Sequence, residues 1–262
     1  MPTWLAVTIL GVIEGVTEFL PVSSTGHLLL AENAGWVSRQ SDLFNITIQS
    51  GAALAVLLAF GGRLRDLLTH LPEPAARGYL GKLGLAFAIT GVGGLAIKGL
   101  GFGLPKSTAP IAWATLIGGV VILGVEWALR ARPSVSHVSW AMAGAVGLGQ
   151  LLAAVFPGTS RSAATILIVM LLGLSRPIAT EFSFLVGVPT LLAAGGLEIV
   201  QALRHPAGPP TDWGLVALGT AVSAVTAFVA VRWLLRLIQT HSFAPFGWYR
   251  MALGLVMLTR LG

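Results

Sequence analysis

The feature that most constrains this chain is the absence of charge from long apolar stretches. Four stretches of 15 to 17 residues hold no Asp, Glu, Lys or Arg: Leu83–Ile97, Ile111–Val125, Phe182–Leu197 and Leu215–Val231. Only 10% of the 262 residues are charged, whereas soluble domains carry about 25% charged residues. An apolar helix of about 20 residues spans a bilayer. The sequence therefore predicts an all-α polytopic membrane protein.

The apolar pattern predicts six transmembrane helices, separated by segments rich in proline, glycine and charge. The predicted spans are 42–60, 79–99, 110–130, 178–203, 213–238 and 245–262, and the predicted loops are 61–78, 101–110, 130–137 and 204–213. Two further apolar stretches, Trp4–Ala34 and Val138–Leu174, are interrupted by proline and hydroxyl residues, "LPVSSTGH" and "FPGTSRSA". We predict that each forms a broken re-entrant helical hairpin.

The two interrupted segments align without a gap at a constant offset of 136 residues. The aligned pairs include Glu14 with Gln150, Pro21 with Pro157, Ser23 with Thr159, and Ser24 with Ser160. Three spans follow each segment, so the second hairpin would enter the membrane from the opposite face. We expect a single membrane domain, 1–262, with inverted repeat halves at about 1–130 and 138–262. Such folds bind their ligand near the bilayer midplane, where discontinuous helices meet.

The distribution of basic residues predicts the orientation in the membrane. One side carries Arg63, Arg65, Arg77, Lys82, Arg130, Arg132, Arg176, Arg232 and Arg236. The other side carries Arg39, Lys98, Lys106, Arg204 and Arg260. Cytoplasmic loops are enriched in Lys and Arg, so we expect the first side to be cytoplasmic and both termini to lie outside.

Composition also excludes several classes of function. Cysteine is absent, which excludes disulfides, thiolate nucleophiles and zinc–cysteine sites. The N-terminus has neither a basic region nor a cleavage signal, so we expect no removable signal peptide. The net charge of +6 comes from basic residues scattered at segment ends, not from the patch that nucleic acid requires. Recurrent small residues indicate close helix packing, within one chain or in a homodimer.

Two carboxylates lie in the first broken segment. Glu14 and Glu18 are four residues apart in "GVIEGVTEFL", a spacing that places them on one face of a helix. Ionisable residues at membrane depth are costly and usually functional. The pair would suit a proton acceptor or ligands for a divalent cation such as Mg²⁺ or Ca²⁺. The alternative is a short surface helix whose glutamates face water.

The two breaks would direct two helix N-termini at one place. A helix N-terminus offers free N–H groups and a partial positive charge, which favour anions. Here these would be the N–H groups of Ser24–Gly26 and Ser160–Ser162, beside the guanidinium of Arg161, whose planar fork suits phosphate. His27 could act as a proton shuttle or as a nucleophile toward phosphorus. The alternative reading of the hydroxyl clusters is ordinary helix capping.

Other polar residues carry weaker predictions. Arg176 fits a cytoplasmic anchor and Glu181 a helix cap, while Tyr249 and Arg250 fit anchors at the membrane interface. Residues 49–51 interrupt the first span and could line a cavity, although the glycine among them suits close helix contact.

The motifs "EGVTEFLPVSSTGH" and "PGTSRSAATI", with "FNITIQSGAALAVL", "SRPIATEFSFLVGVPT" and "FAPFGWYR", cover nearly the whole chain. This sequence resembles the undecaprenyl-diphosphate phosphatase family, the bacterial membrane enzymes linked to bacitracin resistance. The resemblance implies hydrolysis of undecaprenyl diphosphate to the monophosphate and inorganic phosphate, which recycles the lipid carrier for peptidoglycan synthesis. It also implies a site open to the outer side of the plasma membrane and dependence on a divalent cation.

The resemblance points, position by position, to Glu14, Glu18, Ser23, Ser24, Thr25, His27, Ser160, Arg161, Ser162 and Thr165. We expect the phosphate-binding residues to be Ser23, Thr25, Gly26, Ser160, Ser162 and Thr165. This chain has Ala163 after Ser162, where the family commonly has glycine, so local packing at that turn is expected to differ.

These residues support a working hypothesis for the chemistry. Ser24 attacks the terminal phosphorus, activated by His27 or Glu18, while Arg161 and the free N–H groups neutralise charge. Two variants stay open, in which His27 or a water molecule is the nucleophile. Glu14 and Glu18 would position the base or hold the cation.

Two other functions compete with hydrolysis. A lipid-phosphate flippase or transporter could use the same inverted-repeat anion site, although lipid movement alone needs no nucleophile. A lipid phosphatase of the "PSGH" type would need a histidine and an aspartate after Arg161, and neither occurs before Glu181.

Overall fold

The computed structural model describes residues 1–100, 108–204 and 210–261, so Lys106, most of the predicted loop 101–110 and half of the predicted loop 204–213 lie outside the described residues. The regular elements in these ranges are helices, which confirms the predicted all-α fold class. They are α1 (Thr3–Thr17), α2 (Ser24–Asn33), α3 (Asp42–Ala59), α4 (Gly61–Thr69), α5 (Pro74–Gly99), α6 (Ala109–Leu129), α7 (Trp140–Val155), α8 (Arg161–Leu171), α9 (Arg176–Arg204), α10 (Trp213–Leu237) and α11 (Ala244–Leu261).

Five helices of the described chain are long and apolar enough to cross a membrane, namely α3, α5, α6, α9 and α10. They coincide with five of the six predicted spans. The sixth, α11, is an 18-residue helix outside this set, because Arg250 and Arg260 lower its hydropathy. The chain is thus a multi-pass membrane protein.

Both predicted breaks are confirmed. The first lies between the end of α1 at Thr17 and the start of α2 at Ser24, and the second between Val155 of α7 and Arg161 of α8. These four helices have between 10 and 16 residues, fewer than a bilayer crossing needs. We call α1–α2 the first hairpin and α7–α8 the second hairpin.

The predicted loop over 61–78 is wrong for most of its length. Helix α4 covers Gly61–Thr69 and α5 already begins at Pro74. Arg65 and Asp66 of α4 are exposed while Leu67 is buried, so the segment is an amphipathic helix. Pro74 begins a helix because the first helical position needs no N–H donor.

The two predicted halves are interleaved in space. Helix α1 packs against α10, α3 against α9 and α10, and α6 against α11. Glycines allow these approaches: a Cβ on Gly15 would overlap α10 at Ser223 and Thr226, and one on Gly51 would overlap the carbonyl oxygen of Thr220. Close contact at Gly51 is confirmed, and the exact boundaries of the repeat stay a prediction.

Candidate active site

Each break is built around a serine in a left-handed backbone conformation. Ser23 has φ 73° and Ser160 has φ 67°, and they are the two non-glycine residues of the described chain with positive φ. Such residues cost about 1–3 kcal/mol and persist only where their surroundings fix them. Ser23 Oγ accepts from the N–H of Gly26, and Ser160 Oγ accepts from the N–H of Ala163. Helix capping is therefore correct for these two hydroxyls.

The gapless alignment of the two hairpins is wrong by one residue at the breaks. The equivalent caps, Ser23 and Ser160, differ by 137 in residue number, because the second break holds one more residue between its proline and its cap. Shared proline and serine hide this insertion in the sequence. The structural counterpart of Ser24 is consequently Arg161, since each is the first residue after its cap.

Arg250 of α11 contacts both breaks. The prediction that Arg250 is an anchor at the membrane interface is therefore wrong. Its side chain is fully buried, and its five N–H donors all have backbone carbonyl partners. These are the carbonyl oxygens of Pro21, Ala114, Thr115, Gly158 and Thr159. Pro21 belongs to the first break and the last two to the second. One guanidinium thus fixes both turns relative to each other.

A further hydrogen bond connects the hairpins directly. The hydroxyl of Ser162 donates to the carbonyl oxygen of Leu20 at 3.0 Å. Ser162 was predicted to bind phosphate, and its hydroxyl is used here to join α8 to the first break. Thr165, also predicted to bind phosphate, bonds to the carbonyl oxygens of Arg161 and Ser162 within its own helix. Neither side chain lines the cavity described next.

A cavity of about 600 Å³ lies where the two hairpins meet. Its polar lining comes from Glu18, Ser23, Ser24, Thr25, Gln49, Thr90, Lys98, Gln150, Ser160, Arg161 and Thr190. Its apolar lining comes from Phe87, Leu95, Leu151, Ala153, Ala154, Pro157, Ala193, Ala194 and Leu197. The cavity therefore combines a charged region at the breaks with apolar walls from α5, α7 and α9, as an amphiphilic ligand requires.

Three predicted residues from opposite hairpins form one connected cluster in this cavity. The Ser24 hydroxyl donates to Glu18 Oε2 at 2.6 Å, and Arg161 lies 3.3 Å from Glu18 Oε1. Arg161 also donates to Gln49 Oε1 at 3.1 Å, so Gln49 orients the guanidinium from α3. Ser24 is thereby hydrogen-bonded to a carboxylate that can accept its proton, beside a cation that can bind an anion.

The first turns of α2 and α8 leave backbone donors free at the same place. Among the described residues, no bond is made by the N–H groups of Ser24, Thr25, Arg161 and Ser162. Such groups at a helix N-terminus bind anions well. Gly26, also predicted here, uses its N–H on the Ser23 cap and is buried. Thr25 lines the cavity with an exposed side chain.

Glu14 lies one turn before Glu18 and is completely buried. It is close enough to interact electrostatically with both Glu18 and Arg161, while neither of its carboxylate oxygens accepts a hydrogen bond from an N–H or hydroxyl group of the described chain. The alternative of a surface helix with solvated glutamates is therefore wrong. No group of three or more acidic or histidine residues that could hold a metal occurs among the described residues.

His27 faces away from the cavity lining and toward α11. Its Nδ1–H donates to the carbonyl oxygen of Ser23 at 2.7 Å, so the Nε2 of a neutral ring accepts from the Tyr249 hydroxyl, also at 2.7 Å. The two rings stack with centroids 5.6 Å apart. His27 thus supports the backbone of the Ser23 turn, and Tyr249 is its partner.

Two ion pairs between helices distant in sequence lie outside the cavity lining in the described chain. Arg176 forms a forked pair with Glu126, at 3.0 and 2.6 Å. Glu181 accepts from Arg63 and from the Tyr79 hydroxyl, so its prediction as a helix cap is wrong. These pairs connect helices distant in sequence and supply no residue to the cavity.

The fold and site define a class: a helical membrane protein whose cavity brings a hydroxyl, a carboxylate and a guanidinium together. Residues 7–256 match the family described as bacitracin resistance protein BacA, and the chain belongs to this family. The motif resemblance is thereby confirmed.

Relatives of this family carry a more specific name. The chain is 48% identical over 256 residues to an undecaprenyl-diphosphatase of Rhizobium etli, covering 97% of this chain and 96% of the relative. It is 49% identical over 253 residues to an undecaprenyl-diphosphatase of Xylella fastidiosa, with 96% of each chain covered. A Xanthomonas axonopodis pv. citri relative of the same name is 48% identical over 259 residues, covering 98% of this chain and 97% of the relative.

Proposed function

We propose that this protein hydrolyses undecaprenyl diphosphate to undecaprenyl phosphate and inorganic phosphate. The observation that carries the proposal is the cluster of Ser24, Glu18 and Arg161, joined by contacts of 2.6 and 3.3 Å. It places a hydroxyl nucleophile, a proton acceptor and an anion-binding cation in one cavity with apolar walls. The names of relatives nearly half identical over almost the whole chain agree with this assignment.

The reaction follows from the directions of these contacts. Ser24 Oγ attacks the terminal phosphorus while Glu18 Oε2 takes the hydroxyl proton. The bond from phosphorus to the bridging oxygen breaks, and undecaprenyl phosphate leaves with the electron pair. Arg161 and the free N–H groups of α2 and α8 stabilise the charge on the transferring phosphoryl group. Water then hydrolyses the phosphoserine, which releases inorganic phosphate and restores Ser24.

Glu18 is a better candidate base than His27. Glu18 already accepts the Ser24 proton, whereas both ring nitrogens of His27 are bonded to other groups. The two nucleophiles are distinguished by trapping the phosphoryl enzyme with labelled substrate and locating the label. Label on Ser24 supports the mechanism, label on His27 contradicts it, and inversion at phosphorus in one turnover would indicate direct attack by water.

A divalent cation, Mg²⁺ or Ca²⁺, remains part of the proposal. Magnesium is commonly held by one or two carboxylates together with substrate phosphates, and the unpartnered Glu14 carboxylate beside Glu18 fits that donor set. When bound, the cation would neutralise phosphate charge. Chelation with EDTA should lower turnover, and adding Mg²⁺ or Ca²⁺ should restore it. Unchanged turnover would remove the cation from the proposal.

We place the cavity opening on the outer side of the bacterial plasma membrane. The cavity contacts α5 from Phe87 to Lys98 and α9 from Thr190 to Leu197, the second half of each helix. Both helices begin on the side that the basic residues predict to be cytoplasmic, so their second halves approach the outside. Only 11% of the apolar window of α5 is buried inside the protein, so the polyprenyl tail can extend past α5 into lipid.

Phosphate release from farnesyl diphosphate by the detergent-solubilised chain tests the proposal. Steady release that Ser24→Ala abolishes is the expected result. No release, with transfer of fluorescent lipid phosphate between leaflets in vesicles, would instead indicate the flippase alternative.

A further inference from the structure

Gln150 of α7 is a buried amide that the proposed mechanism does not use. Its side chain lines the cavity and is only 3% exposed. Neither Nε2 nor Oε1 has a hydrogen-bond partner in the described part of the chain. A buried amide without partners costs free energy, and native proteins seldom leave one unpaired.

The polar neighbours in the cavity wall do not satisfy this amide. Thr90 donates to the carbonyl oxygen of Ala86 within α5. Gln49 uses its oxygen to accept from Arg161, and Arg161 is also paired with Glu18. The remaining partner for Gln150 is whatever occupies the cavity.

The chemistry of the two hairpins favours an anionic occupant. Gln150 precedes the Ser160 cap by ten residues and Glu14 precedes the Ser23 cap by nine, so the two occupy similar places in the two hairpins. A carboxylate at this place repels phosphate, whereas an amide can donate to it without adding charge. Gln150 therefore belongs with Arg161 on the anion-binding side of the cavity.

We infer that Gln150 is a substrate-binding residue whose Nε2 donates a hydrogen bond to a non-bridging oxygen of the diphosphate. This inference rests on the proposed function and deepens it. A hydrogen bond between an amide and a charged oxygen corresponds to a change of about 10- to 100-fold in affinity.

The test compares Gln150→Leu, which removes the amide at similar volume, with Gln150→Glu, which replaces it by a carboxylate. Ser183→Ala is the matched control, because Ser183 is also buried with an unpartnered hydroxyl but lies outside the cavity lining. For each purified full-length variant we would measure kcat and KM with farnesyl diphosphate, the inhibition constant of inorganic pyrophosphate, and the thermal unfolding midpoint.

Gln150→Leu should raise KM and the pyrophosphate inhibition constant together, by about 10- to 100-fold. Its unfolding midpoint should equal or exceed that of the parent, because an unpaired polar group has been removed. Gln150→Glu should lose more, since the carboxylate repels the diphosphate. Ser183→Ala should keep both kinetic constants within about twofold.

The inference is overturned if Gln150→Leu keeps KM and the inhibition constant within twofold of the parent. It is also overturned if both Gln150 variants unfold at lower temperature with unchanged pyrophosphate inhibition, because the amide would then be structural. If the parent releases no phosphate, the proposed function fails. Calorimetric titration with pyrophosphate then tests the binding role of Gln150 separately from hydrolysis. Weaker pyrophosphate binding by both Gln150 variants than by the parent would support a binding role for Gln150, and equal binding would contradict it.

Discussion

The first and second hairpins share a backbone design and differ in chemistry. In each, a helix ends at a break, a serine with positive φ follows, and its hydroxyl caps a short helix. The first hairpin supplies two carboxylates and Ser24, whereas the second supplies Arg161 and an unpartnered amide. In the proposed mechanism, this repeated scaffold places the nucleophile and its base in the first hairpin and the anion-binding groups in the second.

Under the proposed mechanism, neither hairpin is expected to act alone. Glu18 accepts from Ser24 of its own hairpin but is paired with Arg161 of the other. Phosphate approaching the carboxylates would be repelled without the guanidinium and the free N–H groups of α8. Arg250 and Ser162 keep the two breaks in register, so that opposite charges meet at the cavity.

The largest difference in activity between variants of the two hairpins is expected when a serine hydroxyl is removed from each break. Ser24→Ala removes the nucleophile and should lower kcat/KM by about 10³-fold or more. Ser160→Ala, at the position that the gapless alignment pairs with Ser24, removes the hydroxyl that caps α8, a loss of about 1 kcal/mol in stability. Phosphate release and thermal unfolding measure both. Equal losses for the two variants would contradict the assignment of chemistry to the first hairpin.

Arg161→Lys tests the anion-binding side. Arg161 Nη2 contacts both Gln49 and Glu18, and lysine keeps the charge but lacks the planar fork that suits phosphate, so kcat/KM should fall by about 10²- to 10³-fold. Arg63→Lys is the control, because Arg63 also contacts a carboxylate, Glu181, outside the cavity lining. Its activity should stay within about twofold. Normal turnover in Arg161→Lys would remove Arg161 from the mechanism.

Arg250→Lys tests whether the two breaks must be held together. Lysine can serve at most three of the five carbonyl oxygens, which leaves buried acceptors unpaired at about 1–3 kcal/mol. We expect a lower unfolding midpoint and a loss of about 10- to 100-fold in kcat/KM. Arg250→Met should be worse, because it removes every donor. Full activity in both variants would show that the register of the hairpins does not depend on Arg250.

The smallest effect is expected at Thr165. Its buried hydroxyl bonds only to carbonyl oxygens of its own helix, so Thr165→Val should change the unfolding free energy by about 1 kcal/mol or less. Its kcat/KM should stay within about twofold. A tenfold loss with unchanged stability would restore Thr165 to the phosphate-binding residues that the sequence predicts.

The parts of the fold that the sequence predicts well are those with local signals. Uncharged stretches mark the spans, and proline with hydroxyl residues marks both breaks. Ser24, Glu18 and Arg161 could be proposed because ionisable and hydroxyl groups are rare at membrane depth. The one-residue shift between the two breaks could not be predicted from the sequence, because proline and serine recur on both sides of the shift.

The sequence does not predict the roles of residues whose contacts are distant along the chain. Arg250 stands next to Trp248 and Tyr249 in sequence, which resembles an interface belt, yet its partners Pro21 and Thr159 lie 229 and 91 residues away. The directions of Ser162 and Thr165 depend on helix packing in the same way. The alignment of Gln150 with Glu14 indicates a polar residue at the same place in both hairpins. That its amide has no hydrogen-bond partner in the described chain is visible only in the structure.

The central claim is that residues of both hairpins bind the same diphosphate group. A structure of the full chain with a non-hydrolysable methylene analogue of farnesyl diphosphate tests it most directly. The account predicts that the terminal phosphonate lies within hydrogen-bond distance of Arg161 and near Ser24 Oγ, with the prenyl chain along α5 and α9. An analogue bound to one hairpin only, or in the separate 400 Å³ cavity lined by Arg130, Arg132 and Arg176, would contradict it.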